Sequence, residues 1–315
     1  MFKWLLAVFM MVAAIVAADV WWSSNHAAFD LEVSPGDSAK DICQKLNVQD
    51  VNYFSDVCYV LMKLQRSEQR LHVGRWTISE NQSLWQVVNQ LLNQPAKMAK
   101  VTLIEGMPIK AIVAQLSKQK NILMPLELQQ ELQQHSKKYE GIYYPDTYQL
   151  ADGGDVSKVL RLAEQRMQKL LRDEWASRHP DALVKTPEEA LIVASLIEEE
   201  TRYDDEKPLI ASVIYNRMNK NMRLQIDASV HYALNKYTSL SLKDLKIKHP
   251  YNTYYIKGLP PSPIALVTPS SLNAALQPAS TDYIFYVADP KTGKHIFNKR
   301  YEDHLGSIKK IRSAR

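Results

Sequence analysis

The chain has 315 residues, 46% hydrophobic and 23% charged, and 39 Lys and Arg against 34 Asp and Glu give a formal net charge of +5. Such an excess would suit nucleic acid, but the basic residues are dispersed apart from Lys309, Lys310 and Arg312, so no nucleic-acid partner is expected. No His/Cys/Asp cluster reads as a metal site, no glycine loop cradles phosphate and no dinucleotide fingerprint occurs, so cofactor-free, metal-free chemistry is the expectation.

In chain order, Lys3 precedes an apolar run, Trp4 to Ala18, that Val20-Trp21-Trp22 carries to about 19 residues, within the roughly 17–25 of a membrane helix. Residues 1–22 are expected to be an uncleaved signal anchor, Lys3 inside and Trp21-Trp22 at the outer interface. A cleaved signal peptide, cut after the small residues Val16-Ala17-Ala18, is the competing reading. Both export the rest of the chain. Cys43 and Cys58 then enter an oxidising compartment, where a disulfide between two short helices and a buried free pair both stand open. Residues 23–98 are expected to form a linker, Ser23 to Leu31, and a small module. That module reads as a helix carrying Ile42 and Leu46, another around Val57 to Leu64, a strand near Gly74–Ile78 and a helix from Ser83 through Leu92.

Residues 99–315 are expected to be a larger mixed α+β domain. It opens on a strand at Val101-Thr102-Leu103, followed by a helix with Ile109, Ile112, Val113 and Leu116. A Gln-rich run, Glu127 to His135, is expected to wander at the surface. Val156 to Arg178 reads as a long exposed helix. Asp282 to Ala288 reads as a strand pairing with His295-Ile296-Phe297 across the turn Asp289-Pro290-Lys291-Thr292-Gly293. Fold class is therefore α+β.

Between these lies a segment that points to chemistry. Thr186-Pro187-Glu188-Glu189 predicts an N-cap, a proline at the first helical position and a capping box closed by Glu189. Ala190 to Ile197 is apolar on every side but for Ser195, which predicts a buried helix. That helix runs into Glu198-Glu199-Glu200. Carboxylates in a last turn oppose the helix macrodipole, and partial burial pushes the same way, towards an acid that keeps its proton near neutral pH. An exposed acidic end that pairs with Arg202 or Lys207 is the alternative. By helical period the acids face different ways, so not all can enter one site.

The loops that follow, Arg223 to Tyr232, His249 to Tyr254 and Lys257 to Ile264, are dense in amide, hydroxyl and aromatic groups, which suit a sugar. With them the sequence resembles the YceG-like (MltG) endolytic murein transglycosylases. The resemblance rests on Ala194-Ser-Leu-Ile-Glu198-Glu-Glu200-Thr201, Ser212-Val-Ile-Tyr-Asn216-Arg217, Met222-Arg-Leu-Gln225-Ile-Asp227, Pro250-Tyr-Asn252-Thr253-Tyr254 and Gly258 to Ile264. Val101 to Gly106, Glu140 to Tyr148 and a terminal set around Asp282 to Val287, His295 and His304 also match.

The resemblance implies lytic cleavage of MurNAc-β-1,4-GlcNAc bonds within glycan strands, with a 1,6-anhydro-MurNAc end and no water consumed. It implies that Glu198 is the acid and then the base, with Glu200 in support. Gln225 and Asn252 are expected to hydrogen-bond the sugar, beside Asn216, Arg217 and Thr253, and Tyr254 to stack on it. Asp227 is expected to cap the following helix, sugar contact being its alternative. The small module is similar to the family's LysM-like subdomain. Peptidoglycan strands, the cytoplasmic (inner) membrane and penicillin-binding peptidoglycan synthases are the implied partners, with the catalytic domain periplasmic. A hydrolytic muramidase, needing a second carboxylate, and a non-catalytic wall-binding or division-associated protein are the alternatives. The sequence departs from the family at Ser262-Pro263-Ile264, at Leu266 to Ser270 and at Ile226.

Overall fold

The computed structural model describes residues 2–34, 36–47, 54–64, 71, 74–94 and 96–313. The chain divides into two compact units. One comprises Met1–Lys100, Lys120–Leu123 and Gln149–Asp155, the other Val101–Gln119, Met124–Tyr148 and Val156–Arg315. Helices and two-stranded sheets alternate along the chain, an α+β architecture.

The smaller unit contains α1 (Phe2–Asn25), β1 (Phe29–Val33), α2 (Ala39–Leu46), α3 (Phe54–Leu64), β2 (Gly74–Ile78) and α4 (Leu84–Asn93). Strands β1 and β2 pair antiparallel, Leu31 opposite Trp76 and Val33 opposite Gly74. Strand alternation turns Leu31, Val33, Trp76 and Ile78 inward, onto Ile42, Leu46, Met62, Val87 and Leu91. Helices α2 and α4 each start at a capping box, Ser38 with Asp41 and Ser83 with Gln86. Cys43 and Cys58 are bridged, Cα atoms 5.6 Å apart, so α2 and α3 are stapled inside this core.

Among the described residues no helix is long and apolar enough to cross a membrane. Helix α1 covers the apolar run of the sequence, and Phe9, Met10, Val12 and Val16 are exposed on it. Its C-terminal end belongs to the small unit. Trp22, expected at a membrane interface, is 2% exposed and stacks on His26 within the core. Two tethers explain why. His26 hydrogen-bonds both the Trp22 and Ser79 carbonyls, and Asp19 accepts from Trp85 N in the first turn of α4. The helix therefore continues to Asn25, and the linker expected from Ser23 shrinks to residues 26–28.

Strands β3 (Met98–Leu103) and β4 (Asp146–Ala151) pair, and α5 (Ile109–Leu116) buries Ile109, Ile112, Val113 and Leu116, the positions its periodicity predicts. The Gln-rich run does not wander: it folds as α6 (Leu126–Gln134), with Leu132 buried, followed by α7 (Ser136–Tyr139), whose Tyr139 hydroxyl donates to Glu131. Then come α8 (Ser157–Ala176), α9 (Pro187–Glu200), α10 (Lys207–Asn219) and α11 (Asp227–Leu234), and after a 3-10 turn (Asp244–Lys246) α12 (Pro269–Leu276), β5 (Phe285–Ala288), β6 (His295–Asn298) and α13 (Tyr301–Ser313).

Helix α9 can be apolar all round because its neighbours cover it. Ala190 to Ile197 are buried, with α8, α10, α11 and α12 packed against them. Thr186 caps the helix by accepting from Glu189 N, with Pro187 next. The reciprocal half of the predicted capping box is shifted: Glu189 Oε2 takes the amide of Lys185, one residue before the cap, at 2.6 Å. Strands β5 and β6 form the predicted hairpin, Ala288 opposite His295 and Tyr286 opposite Phe297.

Candidate active site

The covered helix α9 delivers its last three side chains to three surroundings. Glu198 is held from the loop before α12. Its side chain is 7% exposed, and Oε2 accepts from Thr268 N at 2.8 Å and Thr268 Oγ1 at 2.6 Å. Lys207 Nζ lies 3.9 Å from Oε1 and donates to Thr268 Oγ1 and Ser270 Oγ at 3.1 and 2.8 Å, while pairing with Asp204. Thr268 also caps α12 by accepting from Ser271 N. Both oxygens of Glu198 thus face protein cations and donors.

Glu199 turns towards the Gly106 turn, where a Cβ would come within 2.7 Å of its Oε1. Gly106 has φ +73, a backbone conformation that favours glycine. Loss of hydration, then the Glu198 charge, raise the Glu199 carboxyl to about 7 although part of its side chain meets solvent.

Glu200 faces the β5–β6 hairpin and the start of α11. Its carboxyl is raised to about 7, first by burial and then by the charges of Asp227 and Glu199, against a hydrogen bond from Tyr286 and the neighbouring His295, which favour ionisation. Tyr286 in turn is raised above its ordinary range by burial and by Glu200. Strand alternation brings Tyr286 and His295 to the same face of the hairpin, their rings 5.1 Å apart. His295 is fixed from behind by Glu206, which accepts from His295 N at 2.7 Å, meets Nδ1 at 2.8 Å and accepts from Thr201 Oγ1 at 3.0 Å. Burial of Glu206 opposes ionisation, but the His295 and Thr201 hydrogen bonds outweigh it and its carboxyl is lowered.

Around Glu200 the structure collects Arg217, Asp227 and Tyr254. Arg217 is buried, its guanidinium anchored to the Ile284 and Leu224 carbonyls at 2.7 and 2.6 Å, and its charge reaches Tyr286, Tyr254 and Glu200. Burial lowers it from its ordinary value. Ile226, not Asp227, occupies the N-cap position of α11. Asp227 is the first helical residue, and its exposed carboxylate accepts from the Tyr254 hydroxyl.

The other sequence-predicted residues serve the backbone. Asn252 and Thr253 are 0% exposed. The Asn252 amide donates to the Leu245 and Ile247 carbonyls, and Thr253 Oγ1 takes the Ile226 amide and meets Ser229 Oγ. Asn216 donates to the Thr281 and Tyr283 carbonyls, tying α10 to the segment before the hairpin. Gln225 is exposed at φ +53, its own amide donated to the Thr253 carbonyl. Loops this irregular leave carbonyls that the ladder does not pair, and the amide side chains satisfy them. Sequence reasoning passed over Tyr286, His295, Glu206 and Thr268. The hairpin's period of two was the available signal for the first two. Among the described residues no group of three or more His, Cys, Asp or Glu side chains converges as a metal set would.

The YceG-like family profile matches residues 31–310. An endolytic murein transglycosylase of Bacillus subtilis is 32% identical over 76% of this chain and 65% of its own length. One from Streptococcus pneumoniae is 30% identical over 52% of this chain and 31% of its own length. The chain thus spans less than two thirds of these curated relatives. The crystal structure of a yceG-like protein from Listeria monocytogenes superposes with a TM-score of 0.55 at 28% identity, covering 89% of this chain and 98% of that one.

Proposed function

Because the chain belongs to the YceG-like family, we propose that it is an endolytic murein transglycosylase that cleaves MurNAc-β-1,4-GlcNAc bonds within glycan strands, with Glu200 as its acid and base. The observation that carries the assignment of the acid is the setting of Glu200, beside an exposed carboxylate, two tyrosines and a buried arginine; its carboxyl is raised to about 7, as is that of Glu199, which turns instead to the Gly106 turn. A proton held near the working pH is what a general acid needs. The sequence reading favoured Glu198. Its carboxylate, however, is already engaged by Thr268 and approached by Lys207, which suits a brace between α9 and α12 better than a proton donor.

In this reading Glu200 gives its proton to the glycosidic oxygen as the C1–O bond breaks, and GlcNAc departs with a free 4-hydroxyl. Positive charge develops at C1 of MurNAc, which Asp227 opposes from its tether on Tyr254. The Glu200 carboxylate, favoured now by Tyr286, His295 and Arg217, removes the proton of the C6 hydroxyl, whose oxygen bonds C1. The 1,6-anhydro ring closes, no water enters and Glu200 is protonated again.

The membrane and module assignments complete the proposal. Exposed Phe9, Met10, Val12 and Val16 support α1 as an inner-membrane anchor with the remainder periplasmic. The order β1-α2-α3-β2 supports a LysM-like module. Strand termination beside penicillin-binding synthases is the proposed role.

Mass spectrometry of products from uncrosslinked strands tests the reaction. Anhydro-MurNAc ends that vanish with Glu200→Gln are expected. Reducing ends would mean hydrolysis with Asp227 as second carboxylate, and cleavage that survives Glu200→Gln but not Glu198→Gln would return the role to Glu198.

A further inference from the structure

One buried acid has no part in this chemistry. Glu140, 2% exposed, lies at the floor of a cavity of about 240 Å³. Its Oε2 accepts from Ile109 N and its Oε1 from the Tyr232 hydroxyl, each at 3.0 Å. Lys110, Lys137, Tyr232, Tyr237 and His249 line the walls. Burial is the main force that raises Glu140, to about 8, against its two hydrogen bonds and Lys110. Near neutral pH the acid is therefore uncharged and the rim carries two ammonium groups. Lys137 stands 5.4 Å over the Tyr251 ring, and neither lysine is ion-paired to an acid among the described residues.

The cavity also adjoins the proposed active site. Tyr237 feels both Glu199 and Glu140. Along α11, Tyr232 follows Asp227 by five residues, about 7.5 Å of helix rise. Asp227 and Tyr232 stand on different faces of α11, so a strand leaving the Glu200 site would meet the cavity by passing round that helix. While the stems are attached the lactyl carboxyl of MurNAc is tied up in an amide, so the sugars of such a strand are neutral and its fixed negative charges are the carboxylates of the peptide stems.

We propose that this cavity is a second substrate contact, which takes a free carboxylate of the peptide stem carried by the glycan strand between Lys110 and Lys137, with Glu140 donating a hydrogen bond. The proposal rests on peptidoglycan being the substrate. The titratable groups facing Glu140 are Lys110 from α5, Lys137 from α7, Tyr232 from α11, and Tyr237, His249 and Tyr251 from the loops beyond it. Of these, Glu140 itself changes charge between pH 7 and 9 in the direction that repels an anion.

The test is calorimetric binding of uncrosslinked strands, with their stem carboxylates free or amidated, to the full-length Glu200→Gln chain. Binding preferred by about tenfold for strands with free stem carboxylates is expected, the size of a charge-assisted contact. Lys110→Ala with Lys137→Ala should bring the ratio to unity, and the Lys→Arg pair should keep it. Raising the pH to 9 should abolish the preference, and Glu140→Gln, neutral throughout, should preserve it there. Equal binding of the two strands, or a ratio untouched by the double alanine variant, overturns the stem contact. Absence of cleavage by the unsubstituted chain would instead count against the transglycosylase reading, and the binding ratio would still be read.

Discussion

Glu198 and Glu200 stand two residues apart at the end of one helix and meet opposite surroundings. On the Glu198 side the protein offers an amide, a hydroxyl and an ammonium group, with Lys207 bridging Thr268 and Ser270. On the Glu200 side it offers one tyrosine hydroxyl, with the fields of Asp227 and Glu199 pressing on a buried carboxyl. In the proposed function the first setting makes a fastener and the second a proton donor.

Substituting each acid by glutamine separates the two roles. Glu200→Gln should lower the rate of anhydro-end formation by about 10²–10⁴-fold, the usual weight of a general acid; Glu198→Gln should leave most of it, provided the variant folds, with a loss in melting temperature instead. If the two losses exchange places in a chromatographic product assay, the roles proposed for the acids are exchanged too.

Neighbours of Glu200 should move its titration in opposite senses. The general acid works protonated, so activity falls as pH rises through about 7. Tyr286→Phe removes a hydrogen bond that favours ionisation and should shift this alkaline limb upward; Asp227→Asn removes a like charge and should shift it downward, each by roughly half to one unit. Rate profiles from pH 5 to 9 decide it, and shifts of the same sign would mean that another group sets the limb.

On the other side, Thr268→Val should cost about 1–3 kcal/mol of stability by removing the hydroxyl that Glu198 and Lys207 share and that caps α12. Its alkaline limb should stay where it was, as read from thermal melts and the same rate profiles. The smallest effect concerns stability and pH together. Glu140, raised to about 8, and Glu200, raised to about 7, hold protons in the folded state that the unfolded chain has released, so the contribution of these two acids to stability is fullest below about 4.5 and declines as pH rises through those values. Glu200→Gln should therefore melt a few degrees higher than the unsubstituted chain at pH 8 and no higher at pH 4.

Local pattern carried much of this structure. The apolar run of α9, its Thr186 cap and the buried positions of α5 follow from spacing and capping chemistry that lie within a few residues of each other. The Glu198–Thr268 contact spans 70 residues and the Glu206–His295 contact 89, and no periodicity connects them. Residue type says less: Asn252 and Thr253 have the groups a sugar ligand needs in a polar loop, and their side chains also hydrogen-bond irregular backbone, which the loop sequence does not show. Trp22 shows the same limit, since an aromatic pair after an apolar run reads alike whether lipid or protein receives it.

Glu206 has a consequence for the acid side of the pH profile. One carboxylate holds the end of α9, through Thr201, and the start of β6, through His295. Its lowered carboxyl keeps that clasp shut across the neutral range, and the grip loosens as pH falls below the ordinary carboxyl value of 4.5. The hairpin that carries Tyr286 would then come away from Glu200 while Glu200 is fully protonated. The two limbs of a bell-shaped profile would have different origins, the alkaline one in the supply of a proton and the acidic one in the failure of a hinge pin.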